Sequence, residues 1–451
     1  MRRGSIVVVA SLIAACGGEP EPAPVVVRSV VLPAPDVDLA LGVAGVPNDL
    51  LGPESEPRFG DVFDGLAADG FNRFVPVFLT SEAGEGPAFT TYFTPGEAYP
   101  EALFGPVPAD ITCEGPHNPW AAGNGSIQIV FPGYLLALDQ PTDAPIDRAA
   151  VADRFEALLR DCLGGDANKL PLVYNYDEPA NNYASSRCCD ANEASTFELG
   201  NIATMSDIAR DVLGADSLVV EAPLPYFLPN VMEPWGIPSS LVDSMLADFG
   251  EGVRATAPHA DHYGYDVYPV DMSTDFSVIT HHVEQAARDA PDSEPIFVLQ
   301  GFGMADMGID LGTPGRSPTR DETRAMTFLA ASAGVRGIYW YGQSALTSSD
   351  PVWADLREVA RDLRSLSGIL LLPKATLPGD PPPASVTVDA RVGDGVTWLL
   401  VIEREGLSVD VPLASSGVAV DALSGEVLDD EGALTLALPP YGSRMVAVFP
   451  N

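Results

Sequence analysis

Eight short apolar segments, rich in β-branched and aromatic residues and separated by helical patterns, constrain the fold more than any other feature. They are residues 39–46, 73–80, 126–135, 170–176, 217–224, 262–268, 295–301 and 334–341. Such segments predict strands, and strands that alternate with helices predict a parallel sheet with crossover helices. Eight units within residues 36–370 predict an α/β fold, a (β/α)8 TIM barrel with long loops. An open doubly wound sheet is the alternative, but no glycine-rich dinucleotide turn follows the first segment.

The segments between these strands carry helical signals. Apolar residues recur at helical spacing in residues 151–162 and 202–212, and again in residues 356–366 after the last predicted strand. The sequence Thr319-Arg320-Asp321-Glu322 is a capping box, which predicts a helix that begins there and runs through Ala333.

The composition changes after the predicted barrel. Residues 371–383 are rich in proline and predict a linker. Residues 384–451 alternate apolar and polar positions in short segments separated by turn signals such as Gly393-Asp394-Gly395. This pattern predicts a small antiparallel β-sandwich domain.

The first residues predict export. Arg2 and Arg3 precede an apolar segment, which ends in Leu12-Ile13-Ala14-Ala15-Cys16 and is too short to span a bilayer permanently. It resembles a bacterial lipobox, which implies that residues 1–16 are a lipoprotein signal and that Cys16 receives the lipid. Residues 17–35 then predict a flexible tether. We expect a protein anchored in the cell envelope, at the outer membrane, through its N-terminal lipid; an ordinary cleaved signal with an incidental cysteine is the alternative.

Four further cysteines predict two disulfides. They are Cys113, Cys162, Cys188 and Cys189. An even number in an oxidising compartment predicts pairing, with three connectivities open. Because Cys188 and Cys189 are adjacent, we expect each to pair with a different partner. A zinc site is the alternative, but the C-x-x-C spacing and neighbouring histidines that zinc needs are missing, so we predict no metal.

The charge of the chain is strongly one-sided. Lys and Arg number 24 against 63 Asp and Glu, for a formal net charge of −39. Such a surface repels phosphate backbones and anionic headgroups, so nucleic acid is excluded as a partner and the membrane is expected to be reached only through the lipid. No cofactor fingerprint occurs in the chain, so no cofactor is predicted.

The predicted strand ends carry the candidate site, because active sites of such barrels lie at the carboxyl ends of the strands. The candidate catalytic residues are Glu178, Asp177 and Asp266. The candidate substrate-binding residues are Asn175, Tyr176, Tyr265, Tyr268, Gln300, Trp340 and Tyr341. Aromatic rings stack on the apolar faces of sugars, and carboxyl and amide groups bind their hydroxyls. The set therefore predicts an oligosaccharide or polysaccharide substrate.

The order of these motifs resembles bacterial TIM-barrel glycoside-hydrolase-like proteins over roughly residues 36–370. Glu178 followed by Pro179 is similar to the acid/base position of clan A enzymes. The segment 295–303, the sequence Arg316-Ser317-Pro318-Thr319 and residues 333–338 add to this likeness. One departure stands out: clan A enzymes carry a nucleophilic Glu at the end of the seventh strand, where this chain has Gln300.

Three functional hypotheses follow. In the first, Glu178 protonates the leaving oxygen while Asp177 orients a 2-acetamido group that acts as the nucleophile, as the resemblance to families 123 and 20 implies. In the second, Glu178 is the acid and Asp266 the base of an inverting reaction, which needs about 6.5–9.5 Å between the carboxyls. In the third, the barrel binds glycan without cleaving it. Another hydrolase or a structural envelope protein is a further alternative.

Overall fold

A computed structural model of the chain describes two compact units. The described residues are 30–36, 38–51, 59–75, 120, 125–137, 143–188, 198–222, 239–270, 275–307, 315–343, 346–377, 380–414, 417–429 and 433–450. One unit spans residues 38–361, and the other combines the N-terminal residues to 37 with residues 362–451. The predicted signal at 1–16, including Cys16, lies outside the described residues, as do Cys113 and Cys189.

The first unit is built on a parallel sheet. Its strands are β1 (Ala40–Ala44), β2 (Arg73–Val75), β3 (Gln128–Ile129), β4 (Phe131–Pro132), β5 (Leu172–Asp177), β6 (Asp216–Glu221), β7 (His262–Val267), β8 (Glu294–Gln300) and β9 (Gly337–Tyr341). They are hydrogen-bonded in the order β3-β2-β1-β9-β8-β7-β6-β5-β4. Only Val130 separates β3 from β4; β3 pairs with β2 and β4 pairs with β5, so the sheet nearly closes on itself. The nine segments are therefore a barrel of eight strands whose third is divided.

Helices follow the strands. The described α-helices are α1 (Asn48–Leu51), α2 (Phe59–Ala68), α3 (Arg148–Ala157), α4 (Pro179–Cys188), α5 (Gly200–Leu213), α6 (Ser239–Thr256), α7 (Ser277–Asp289), α8 (Arg320–Ala333) and α9 (Pro351–Leu370). The predicted capping box is confirmed: Thr319 and Glu322 bond reciprocally at the start of α8, which ends at Ala333 before Gly334 with φ 103°.

Strand alternation divides the barrel side chains between two faces. Tyr265 on β7 contacts Phe249 of α6 and His282 of α7, which identifies the outer face. Gly264 and Asp266, which precede and follow Tyr265 in the strand, therefore face inward. On β9, Tyr339 shares the inner face with Gly42, where any side chain would overlap the tyrosine ring. At this point of the inner face, the Tyr339 ring thus fills the space that the missing side chain of Gly42 leaves.

The predicted fold class is confirmed by this architecture. Each of the eight predicted strands overlaps an observed one, with ends that differ by up to three residues in most cases; residues 76–80 and 223–224 of the predicted strands lie outside the described residues. The difference lies in residues 126–135. There the chain changes its partner strand from β2 to β5 at Val130, whose N–H still donates to the Phe74 carbonyl at 2.8 Å, and a 3₁₀ turn, Gly133–Ala137, replaces the end of the predicted strand.

The second unit contains the C-terminal β-sandwich. One sheet is β10 (Val386–Gly393), β11 (Val396–Glu403), β16 (Ser443–Pro450), β13 (Gly417–Asp421) and β14 (Val427–Asp429), in that order; the other is β12 (Val409–Ala414) with β15 (Ala433–Leu438). The pairings are antiparallel. Leu399, Val411 and Leu436 belong to one buried cluster, so the two sheets share a core. The predicted sandwich is confirmed, with β13 and β14 as strands that the sequence pattern missed. Among the described helices, none is long and apolar enough to span a bilayer.

Candidate active site at the carboxyl ends of the barrel strands

Glu178 lies where β5 passes into α4. Its N–H donates to the Val220 carbonyl at 2.9 Å, and its own carbonyl accepts from the Asn182 N–H at 2.9 Å, which begins the helix. Pro179 occupies the first helical position, where the missing N–H costs nothing. Glu178 has φ 49°, a left-handed conformation that is uncommon outside glycine. Strain of this kind persists only where the surroundings enforce it, and it concentrates at functional sites.

The Glu178 carboxyl contacts Asp266. The two side chains are hydrogen-bonded, and Asp266 is only 8% exposed. The pKa of Glu178 lies well above its ordinary value because burial disfavours the carboxylate and because Asp266 adds like charge and a hydrogen bond. Asn181 opposes this shift by donating to Glu178 Oε2 at 3.1 Å. The arrangement is that of a carboxyl held protonated against a neighbouring acid, which suits a general acid.

Glu221 is a buried acid that the sequence interpretation missed. It ends β6, is fully buried, and faces the outer side of the barrel. Its Oε2 accepts from the Ala180 N–H at 2.8 Å, and its Oε1 accepts from the Thr256 hydroxyl at 3.1 Å. Burial raises the pKa of Glu221 well above its ordinary value. The hydrogen bonds from Ala180 and Thr256 oppose this rise, and the nearby Glu178 adds to it. A single acid within the apolar sequence Leu218-Val219-Val220-Glu221-Ala222 was the signal that could have identified it.

Gln300 is a buried structural amide. It is 0% exposed at the end of β8. Its Oε1 accepts from the Val270 N–H at 2.9 Å and its Nε2 donates to the Phe302 carbonyl at 3.0 Å. Both ends of the amide therefore hold backbone at the mouth of the barrel. The position that carries the nucleophile in clan A enzymes is occupied here by a group that binds protein.

Two of the predicted aromatic residues meet at the mouth. Tyr268 and Tyr341 stack with ring centroids 5.9 Å apart and planes inclined by 24°. Phe302 contacts both rings edge to face, at 5.2 Å from Tyr268 and 5.6 Å from Tyr341. Tyr268 and Tyr341 are partly exposed and Phe302 is buried. The pair offers an apolar face of the kind that sugars stack on.

Three predicted substrate-binding residues lie elsewhere, on the outer face of the barrel. Asn175 donates to Ser206 of α5 at 3.1 Å, Tyr265 donates to Asp289 of α7 at 2.6 Å, and Trp340 packs edge to face on Phe71 at 5.8 Å. All three are 0% exposed. The prediction read every polar or aromatic strand-end residue as facing the mouth, but alternation along a strand turns half of them towards the helices.

The remaining predicted residues are placed only in part. Asp177 ends β5 and its backbone pairs with Val220, while its side chain lies outside what is described. Tyr176 is 4% exposed, and burial raises its pKa to about 12. Cys162 is 4% exposed at the end of the π turn that extends α3, and Cys188 ends α4. The described part of the chain contains no cluster of three His, Cys, Asp or Glu that could hold a metal.

No protein-family model and no curated protein sequence matches the chain. Solved structures do match it. AmyP in complex with maltose has a TM-score of 0.53 at 10% identity, over 92% of this chain and 97% of that one. An Anoxybacillus α-amylase has a TM-score of 0.50 at 9% identity, over 92% and 98% of the two chains. A glycoside hydrolase family 5 protein from Bacteroides vulgatus has 0.50 at 11%, over 91% and 89%.

At these identities the likeness concerns the fold. The chain has the fold of TIM-barrel glycoside hydrolases, and these neighbours cover nearly the whole of it. The fold alone leaves the chemistry to the site.

Proposed function

We propose that this chain is an exported, lipid-anchored glycoside hydrolase in which Glu178 is the general acid. The observation that carries the proposal is the hydrogen-bonded contact between Glu178 and Asp266 at the barrel mouth, with the Glu178 pKa raised well above its ordinary value. A carboxyl that keeps its proton near neutral pH can donate it to a glycosidic oxygen. An ordinary surface glutamate could not do so, because it is ionised at that pH.

The proposed reaction uses the substrate's own 2-acetamido group. The carbonyl oxygen of this group forms a bond to the anomeric carbon. At the same time the bond from that carbon to the leaving oxygen breaks, and the leaving oxygen takes the Glu178 proton. The Glu178 carboxylate then removes a proton from the water that opens the cyclic intermediate. Asp177 is proposed to orient the acetamido group, as its place beside Glu178 in a pair resembling that of family 123 implies.

This route is preferred over direct inversion. An inverting pair needs about 6.5–9.5 Å between the carboxyls to hold a water. Glu178 and Asp266 are in hydrogen-bond contact, which leaves no space for that water unless they separate. A nucleophilic carboxylate at the end of β8 is also missing, because Gln300 stands there. A nucleophile supplied by the substrate answers both observations.

We propose an uncharged oligosaccharide that carries 2-acetamido groups as the substrate, with the Tyr268–Tyr341 pair as a stacking surface. The net charge of −39 opposes an anionic polymer. AmyP structures contain maltose and maltotriose, so proteins of this fold bind neutral glucose oligomers. The lipid on Cys16 and the tether at 17–35 would hold the enzyme at the envelope.

The proposed disulfides tie Cys113 and Cys162 to Cys188 and Cys189 in pairs. Support for the proposal comes from Cys162, which is buried at the end of the π turn that extends α3. Mass spectrometry of the unreduced, protease-digested chain would identify the pairing, and four free thiols would refute it.

The test of the function is a chromogenic panel. The chain from residue 17 onward is assayed on 4-nitrophenyl glycosides of neutral and 2-acetamido sugars, in both anomeric forms. On an oligosaccharide of the active 2-acetamido sugar, whose leaving oxygen must be protonated, Glu178→Gln is expected to lower kcat at least a hundredfold, because general acids contribute about 10²–10⁴-fold. The loss on the 4-nitrophenyl glycoside is expected to be smaller, because 4-nitrophenolate leaves without a proton. Glu156→Gln, an exposed acid on α3, is the matched control and is expected to retain activity.

The alternative, a glycan-binding protein without catalysis, is favoured by the binding of both amide ends of Gln300 to backbone. Glycan-array binding with no turnover by either form would support that alternative and refute the enzyme. Neither binding nor turnover would refute both.

A further inference from the structure

Glu221 stands in a position to control Glu178 although it does not face the barrel mouth. It lies one residue after Val220, whose carbonyl accepts from the Glu178 N–H. Its Oε2 accepts from Ala180, and a backbone hydrogen bond from Asn181 reaches the same carboxyl. These N–H groups belong to the first turn of α4, where helix donors have no partner within the helix and the helix dipole favours negative charge.

The contacts continue from that turn back to Glu178. The Asn181 backbone is held by Glu221, and the Asn181 side chain donates to Glu178 Oε2 at 3.1 Å. The Glu178 carbonyl therefore accepts the first hydrogen bond of α4, and the side chain of Asn181, the third residue of that helix, holds the Glu178 carboxyl. The left-handed φ of 49° at Glu178 is a strained backbone conformation, which the surroundings must offset.

We propose that Glu221 is a positioning residue, a buried carboxyl that fixes the first turn of α4 so that Glu178 stays against Asp266. The role in catalysis rests on the proposed function of Glu178, but the placement of Glu178 does not. Glu221 lies on the far side of the barrel wall from the substrate, so it acts through α4 and touches no reacting atom.

Three elements packed against Glu221 supply its neighbours. Thr256 on α6 donates its hydroxyl, Ala180 and Asn181 on α4 donate N–H groups, and Tyr263 on β7 is the neighbouring titratable ring. Glu178 is the like-charged neighbour. Among the described residues that act on it, no cation is present, so the N–H groups of α4 and the Thr256 hydroxyl are what hold the Glu221 carboxyl in place.

Two variants distinguish the effect of the length of the Glu221 side chain from the effect of its acidity. Glu221→Asp keeps the acid but withdraws it from Ala180 by one methylene. Glu221→Gln removes the acid but keeps the length: its oxygen can accept from Ala180, and its NH₂ can donate to the Thr256 hydroxyl, which then acts as acceptor. If Glu221 acts by positioning, Glu178 stays against Asp266 in Glu221→Gln and loses that position in Glu221→Asp.

The readout is the titration of the Glu178 carboxyl in the full-length protein without substrate, followed by carbon NMR of ¹³C-glutamate-labelled chain and assigned with Glu178→Gln. We expect Glu221→Asp to lower the Glu178 midpoint by about one unit or more, because the released carboxyl gains water. Glu221→Gln is expected to change it by less than about half a unit. Equal shifts in both variants, or none in Glu221→Asp, would overturn the proposal.

Thr256→Val is the structural control. It removes the bond to Oε1 but leaves the link from Glu221 to Ala180, so it is expected to lower the melting temperature without moving the Glu178 midpoint. A midpoint shift in this variant would also count against the proposal. Because no glycoside enters the measurement, a chain without hydrolytic activity refutes the proposed function and still leaves this placement open to test.

Discussion

At the scale of single residues, Glu178 combines two costs. Its backbone is left-handed, and its carboxyl is held where the charged form is disfavoured. Neither feature helps the chain to fold, and both suit the role of proton donor that we propose for Glu178. Residues of this kind are where activity and stability oppose each other.

Glu178→Gln should therefore be inactive and, at alkaline pH, more stable. The raised pKa means that the folded state binds this proton more tightly than the unfolded chain, so stability falls as pH rises from about 4.5 through the folded pKa. Glutamine never ionises and avoids that loss, by about 1 kcal/mol for each pKa unit of the shift. Urea denaturation at pH 5 and pH 8 tests this. An equal difference between the two proteins at both pH values would contradict it.

Gln300→Glu should not create the missing nucleophile. The glutamate would retain an acceptor for Val270 but would set an oxygen against the Phe302 carbonyl, where the amide now donates. We expect a loss of about 1–3 kcal/mol in the free energy of unfolding and no gain in turnover. Denaturation and the glycoside panel measure both, and a gain in kcat with unchanged stability would show that this side chain is free to act.

Strand ends are easy to locate in the sequence, but the face that each side chain occupies is not. The structure places Glu178, Asp266, Tyr268 and Tyr341 at the carboxyl ends of the strands, as the sequence pattern indicates. Asn175, Tyr265 and Trp340 were misplaced because the position of a strand end does not indicate which face of the sheet a side chain occupies. The pairing of β5 with β6 shifts register between Tyr174 and Tyr176, which breaks the alternation at Asn175. Glu221 was missed because its role depends on α4, which packs against β6 only in the folded chain.

At the scale of elements, β9 shows how one strand serves two layers. Trp340 faces outward onto Phe71, while the neighbouring Tyr341 faces inward and stacks on Tyr268. The strands and helices were predictable because their periods of apolar residues differ, and the capping box located the start of α8 to the residue. The division of the third strand was not predictable, because residues 126–135 read as one continuous apolar segment.

Trp340→Ala and Tyr341→Ala should separate these two layers. We expect Trp340→Ala to lower the free energy of unfolding by about 3–5 kcal/mol, because its fully buried ring would leave a cavity. Tyr341→Ala should cost about 1 kcal/mol and weaken oligosaccharide binding about tenfold. Chemical denaturation and calorimetric titration check the pair. Weaker binding by a stably folded Trp340→Ala with unaffected Tyr341→Ala would reverse our assignment of faces.

At the scale of the whole molecule, the net charge of −39 acts on every domain. So many like charges repel each other in the folded state, and dissolved ions screen that repulsion beyond about 10 Å at 0.1 M salt. The composition keeps the protein soluble at the expense of some stability.

Added salt should therefore stabilise the chain. Between 0.02 and 0.5 M sodium chloride we expect the free energy of unfolding to rise by about 1 kcal/mol or more. Urea melts at each concentration measure it, with equimolar changes in sucrose as the control for effects other than screening. A midpoint that falls with salt would mean that favourable surface ion pairs outweigh the repulsion.

The divided third strand has a consequence for where the barrel opens locally. Two residue pairs join β2 to β3 and two join β4 to β5, whereas six join β7 to β8. The wall therefore has a seam at residues 128–132, on the side adjoining β5 and hence the strand that ends beside Glu178. Amide protons along this seam should exchange with deuterium long before those of β7 and β8, and the barrel should part there before it melts elsewhere.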